Sequence, residues 1–134
     1  MKRLILLFTS LLATVAFAEV ASITPTDAAK LVADGQAVIV DVREAAEWNE
    51  TGVAAPALLL AKSDYDGAKK DWRPFLDGVA GKTVILYCRS GKRSGAVAAD
   101  LEAKGYKVAN AGGFKDWAAA GLPTRKPDAP PAGK

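Results

Sequence analysis

Two short apolar runs, Ala37-Val38-Ile39-Val40-Asp41-Val42 and Thr83-Val84-Ile85-Leu86-Tyr87, constrain this chain most. A strand with one wet face alternates apolar and polar residues, whereas a strand covered on both faces reads as a continuous apolar stretch. Both runs are of the second kind and rich in β-branched residues, so each predicts a strand sandwiched between layers. Helical signals surround them. Strands alternating with helices imply an α/β fold, a largely parallel central sheet flanked by helices. Such sheets bind ligands beyond the carboxyl ends of their strands.

The remaining elements follow from caps and breakers. Thr24-Pro25-Thr26-Asp27 is expected to start a helix that runs through Ala28 to Asp34 and ends at Gly35. Arg43 to Asn49 predicts a short helical turn, and Ala57 to Ala61 a short strand. Tyr65, Trp72 and Phe75 are spaced to cover one side of a helix over Asp64 to Leu76, with a break near Pro74. Arg93 to Lys104 is expected to be a helix closed by Gly105, and Tyr106 to Ala109 the last strand. Gly112-Gly113 reads as a turn before a final helix, Phe114 to Ala120, stopped by Gly121 and Pro123. Trp48, Trp72 and Trp117 read as core or rim aromatics.

The ends of the chain read differently. Lys2 and Arg3, an apolar run from Leu4 to Leu12 and the small-x-small triplet Ala16-Phe17-Ala18 make a secretory signal over residues 1–18, cleaved before Glu19. The run is short for a membrane span, so a retained N-terminal anchor is the alternative and not the expectation. The mature chain, about 116 residues, suits one domain over 19–125. Residues 126–134 are expected to form a disordered Pro/Ala/Gly-rich tail. A periplasmic or secreted location follows from the signal.

Composition excludes several chemistries. Removing Lys2 and Arg3 lowers the formal charge from +3 to +1, so the basic balance is no argument for nucleic acid. No basic run or aromatic ladder suggests such a partner either. The chain has no histidine and one cysteine, Cys88. That rules out a Cys–His dyad, a Ser-His-Asp triad, a His-ligated zinc site and Cys-x-x-Cys redox chemistry. No metal and no cofactor are called for. Any nucleophile must be activated by charges and backbone dipoles alone.

Cys88 follows the second apolar run directly and opens the loop Arg89-Ser90-Gly91-Lys92-Arg93-Ser94, behind which a helix begins. A lone cysteine is often only a small buried hydrophobe. Here three cations lie within five residues of it, and a helix N-terminus favours negative charge at the same point. Those conditions lower a thiol's pKa and make a thiolate. Gly91 tolerates positive φ, so the loop can curl and aim its N–H groups at the sulfur. A free thiol in an oxidising compartment is unusual, which favours its being kept for chemistry.

Cys88-Arg89-Ser90-Gly91-Lys92-Arg93-Ser94 resembles the active-site loop of the rhodanese (thiosulfate sulfurtransferase) family. Asp41-Val42-Arg43-Glu44, with Glu47-Trp48 and Gly52, is similar to its first signature, and Gly112-Gly113-Phe114-Lys115-Asp116-Trp117 to its closing one. The likeness is to small, single-domain, exported members. It departs from the pattern at Val53-Ala54-Ala55-Pro56-Ala57, where the family commonly has His-Ile and then Gly-Ala. The resemblance implies a double displacement in which Cys88 takes a sulfane sulfur from an anionic donor such as thiosulfate. The persulfide would then pass it to a thiol or to cyanide. Arg89, Ser90, Gly91, Lys92, Arg93 and Ser94 would bind substrate. Asp41 and Arg43 would support the site, whether as a structural pair or directly. A monomer is expected.

Two other readings compete. Cysteine phosphatases and arsenate reductases use Cys-x5-Arg loops whose arginine grips oxyanion oxygens bidentately. The corresponding position here is Ser94, and Arg93 comes one residue early. The second is a persulfide carrier or redox-interaction module serving one protein partner through the same loop.

Overall fold

The structure, a computed structural model, describes residues 19–128. The expected signal segment 1–18 and residues 129–134 of the expected tail lie outside the described residues. Helix α1 spans Pro25–Ala33. Thr24 caps it by accepting the Asp27 N–H at 3.1 Å, and Pro25 takes the first position, where its missing N–H costs nothing. Strand β1 (Ala37–Asp41), helix α2 (Ala45–Thr51) and the two-residue strands β2 (Val53–Ala54) and β3 (Leu58–Leu59) follow. Then come α3 (Lys62–Asp66), α4 (Trp72–Gly78), β4 (Thr83–Cys88), α5 (Lys92–Ala103), β5 (Val108–Gly113), α6 (Phe114–Ala119) and β6 (Thr124–Arg125).

The main sheet has the order β3-β1-β4-β5, and every pairing in it is parallel. Both apolar runs form its two central strands. Val84, Leu86 and Cys88 face one core with Trp72, Val97 and Leu101, while Ile85 and Tyr87 face the other with Ala28 and Trp117. Period-two geometry sends alternate residues to opposite faces, and helices cover both. From β1 the chain goes first to β3 on one side and later to β4 on the other. The sheet therefore switches direction between β1 and β4, and a crevice opens at their carboxyl ends. Asp41 ends β1 and Cys88 ends β4.

Three elements differ from the sequence expectation. The helix expected over Asp64 to Leu76 is two helices, broken at residues 67–71 and not near Pro74. The Asp64 carboxylate accepts the N–H groups of Lys70, Asp71 and Trp72, so it caps α4 from within α3. Pro74 falls in the first turn of α4, where proline is tolerated. The last long strand begins later and ends later than Tyr106 to Ala109, because Gly112-Gly113 stay in the sheet. Leu86 pairs with Asn110 but Cys88 pairs with Gly113, so β5 carries an extra residue, a bulge that Gly112 accommodates at φ 81°. The segment from Val53, where the chain departs from the family pattern, pairs antiparallel with β6 and is buried. Its short partner, residues 124–125, gave no strand signal.

Candidate active site

Cys88 is fully buried at the end of β4, and the chain after it curls back over the sulfur. Gly91, at φ 93°, lets this curl happen, and its N–H donates to Sγ at 3.0 Å. The Ser94 hydroxyl, buried in the first turn of α5, lies 3.4 Å from Sγ. Burial pushes the Cys88 thiol up, but the Ser94 hydroxyl and the N–H groups of Ser94, Ser90 and Gly91 outweigh it and hold the thiol below its ordinary range. A backbone cradle of this kind stabilises negative charge on sulfur without any histidine.

The loop cations divide. Arg89 and Lys92 are exposed. Arg93 grips Glu47 with two bonds of 2.6 and 2.8 Å. That bond, and secondarily the nearby Cys88 charge, raise its pKa, and the same bond lowers that of Glu47. Arg93 thus fastens the start of α5 to α2, and its charge is largely answered by a carboxylate. Ser90 is exposed, and its hydroxyl accepts the Lys92 N–H at 3.4 Å.

Asp41 and Arg43 form a buried pair under the crevice, 0% and 2% exposed. Arg43 Nε and Nη2 bond the two Asp41 oxygens at 3.0 and 2.8 Å. Its other donors reach Thr51 Oγ1 and the Gly52 carbonyl, both at 2.9 Å, tying β1 to the end of α2. The guanidinium lies 4.7 Å over the Phe114 ring. Burial and the Asp41 carboxylate hold the Tyr87 hydroxyl well above its ordinary range, so it remains neutral, and it accepts the Ala54 N–H at 2.9 Å. Arg43, Arg89, Glu47, Glu50, Phe114 and Lys115 line an open cleft of about 250 Å³. Of the residues expected in the site, Gly91 and Ser94 bond the sulfur directly. Arg89 and Arg43 line the cleft, Asp41 is bonded to Arg43 behind it, and Lys92 is exposed at the first position of α5, outside the cleft lining.

Sequence reasoning missed Asn110 and the role of Glu47. Asn110 Oδ1 accepts the Ser94 hydroxyl at 2.8 Å and the Gly112 N–H at 3.1 Å, and Nδ2 donates to the Gly91 carbonyl at 2.9 Å. Its signal was present: it is the single polar side chain in Val108-Ala109-Asn110-Ala111, and a polar group within a packed strand needs partners. Gly113 also serves the loop, since a Cβ there would overlap the Arg89 carbonyl oxygen.

Comparison with known proteins agrees with this fold. The family model for the rhodanese-like domain matches residues 24–120. No curated protein sequence matches the chain. Among solved structures, a Rhodopseudomonas palustris protein of unknown function, titled a possible tyrosine phosphatase, is 27% identical with a TM-score of 0.67, covering 79% of this chain and 85% of that one. The polysulfide-sulfur transferase homodimer of Wolinella succinogenes is 21% identical with a TM-score of 0.64, covering 81% and 80%. A thiosulfate sulfurtransferase from Pseudomonas aeruginosa is 24% identical with a TM-score of 0.66, covering 80% of this chain and 19% of that one. At these last two identities the likeness is one of fold. The matched region runs from the cap of α1 through α6 and holds Cys88 with its whole loop, and on that basis the chain belongs to the family of rhodanese-like domains.

Proposed function

We propose that the protein is a sulfurtransferase that carries a sulfane sulfur on Cys88. The observation that supports this most is the thiol itself, seated in a ring of donors that favours its ionised form. The Cys88 thiolate attacks the outer sulfur of thiosulfate. That sulfur's bond to the sulfonyl sulfur breaks, and sulfite departs with the electron pair. The negative charge then rests on the outer sulfur of a persulfide, which the loop N–H groups can hold. A thiol or cyanide takes the outer sulfur and returns the thiolate. No step needs a base, a metal or a cofactor. The exposed Arg89 and the cleft beside it suit the approach of a small anion.

A phosphatase reading, in line with the description of the Rhodopseudomonas protein as a possible tyrosine phosphatase, fits less well. The loop position that would need an arginine holds the buried Ser94, and the adjacent Arg93 is engaged by Glu47. The persulfide could equally serve one partner protein, and turnover with small thiols against turnover only with a protein acceptor separates the two. Export to the periplasm or beyond, by cleavage before Glu19, belongs to the same proposal, as does action as a monomer. N-terminal sequencing of envelope protein tests the cleavage.

Intact-mass measurement of the reduced protein after thiosulfate treatment tests the chemistry. A gain of one sulfur atom, reversed by cyanide and lost in a folded Cys88→Ser variant, is expected. Absence of the gain in wild-type protein, or its persistence in Cys88→Ser, overturns the assignment.

A further inference from the structure

Asn110 grips both halves of the sulfur cradle from behind without touching the sulfur. Its Nδ2 bonds the carbonyl of Gly91, whose N–H points at Sγ. Its Oδ1 bonds Ser94, whose hydroxyl oxygen lies against Sγ. The third bond, from the Gly112 N–H, locks the amide to the bulge of β5. The glycines nearby agree with this seating. A Cβ at Gly95 would come within 3.2 Å of Asn110 Nδ2, and one at Gly91 within 3.6 Å of the same atom. The amide thus crowds a side chain at Gly95, while at Gly91 the tighter contact, 3.2 Å, would be with Gly112 Cα. Its own strand is anchored in turn, because the Asn110 backbone exchanges hydrogen bonds with Ala21 and Ile23.

We propose that Asn110 is a positioning residue for Cys88, fixing the Gly91 N–H and the Ser94 side chain on the sulfur so that the loop is already set for an anion before any donor arrives. A hydroxyl carries one proton, so Ser94 can serve Asn110 while Cys88 is a thiol and turn to the sulfur when it ionises. That exchange by itself favours the thiol, and the preference for the thiolate comes from the Gly91 N–H, which Asn110 holds in both forms. Oδ1 then keeps the Gly112 N–H and is not stranded. Preorganisation of this kind matters because donors that must first be ordered stabilise charge less.

The proposal rests on Cys88 acting as the nucleophile, but its test needs no sulfur transfer. The pH dependence of Cys88 alkylation by iodoacetamide reports the thiolate directly. In Asn110→Leu the profile is expected to move up by about one pH unit, leaving about tenfold less thiolate below it. Amide hydrogen exchange at residues 89–94 should quicken while that of Val84 to Leu86 stays unchanged. An unchanged or lowered alkylation profile in the folded variant overturns the proposal, since it would leave Asn110 as packing or as a competitor for the Ser94 proton. Should Asn110→Leu not fold, Asn110→Asp keeps Oδ1 and removes the Nδ2 donor. Exchange faster only in the loop supports the proposal there, and unchanged or uniformly faster exchange overturns it. If these readings hold and thiosulfate still loads no sulfur, the functional assignment fails while the positioning role stands.

Discussion

Arg93 and Glu47 are joined by two charge-assisted hydrogen bonds, so a cation in the first turn of α5 is fastened to α2. Arg93 is also next in sequence to Ser94, whose hydroxyl lies 3.4 Å from the Cys88 sulfur. Glu47→Gln should release that positive charge toward the sulfur. Persulfide formation from thiosulfate is expected to quicken about two- to fivefold at low salt, the scale of a partly exposed ion pair. A slower reaction would show that the pair matters chiefly as a fastening for α5.

With Arg93 engaged by Glu47, Arg89 and Lys92 are the exposed cations of the loop, and the proposed dianionic donor would meet them first. Lys92→Ala should slow persulfide formation a few-fold at low ionic strength, and the deficit should shrink as salt screens the wild-type advantage. Transfer from the loaded enzyme to a neutral thiol should change less, because the backbone cradle is untouched. Rapid-mixing measurements at low and high salt check this, and an unaltered low-salt rate would leave the backbone as the sole holder of the donor.

The thiol also couples folding to pH. Cys88 titrates lower in the folded chain than the roughly 8.5 of an unfolded cysteine. Between those two values the unfolded chain holds more protons, so stability rises with pH. The contribution is fully present above about 8.5 and is lost as pH falls through the folded value. Urea unfolding of wild type and Cys88→Ser across this range should show their difference shifting in favour of wild type as pH rises. A flat difference would mean that the cradle does not prefer the thiolate.

At the floor of the cleft, the Asp41–Arg43 pair is almost fully buried, so each charge depends on the other and on protein hydrogen bonds more than on water. Asp41→Asn leaves the guanidinium without its counter-charge and is expected to cost about 3–5 kcal/mol in urea unfolding. Arg43→Met, which removes the other partner, should be comparably damaging because it strands the carboxylate. A loss near zero for both would place the pair in a wetter setting than its burial indicates.

The local sequence was enough for the central strands, the cap and proline that start α1, and the placing of Cys88 at the head of a glycine-hinged loop. Each depends on neighbouring residues: apolar runs, capping side chains, a residue free to take positive φ. Asp41 and Arg43 could be grouped with the site because both sit at the end of a strand next to that of Cys88. What the loop holds on to was not legible locally. Glu47 reaches Arg93 from another helix, and Asn110 reaches Gly91 and Ser94 only because a bulge in β5 sets it behind them. Asp64 likewise splits one expected helix into two by capping residues six to eight positions ahead. Sequence spacing thus placed Cys88 at the mouth of its loop, while side chains distant in sequence, brought together by sheet order and register, decided which donors face its sulfur and which loop cation is engaged.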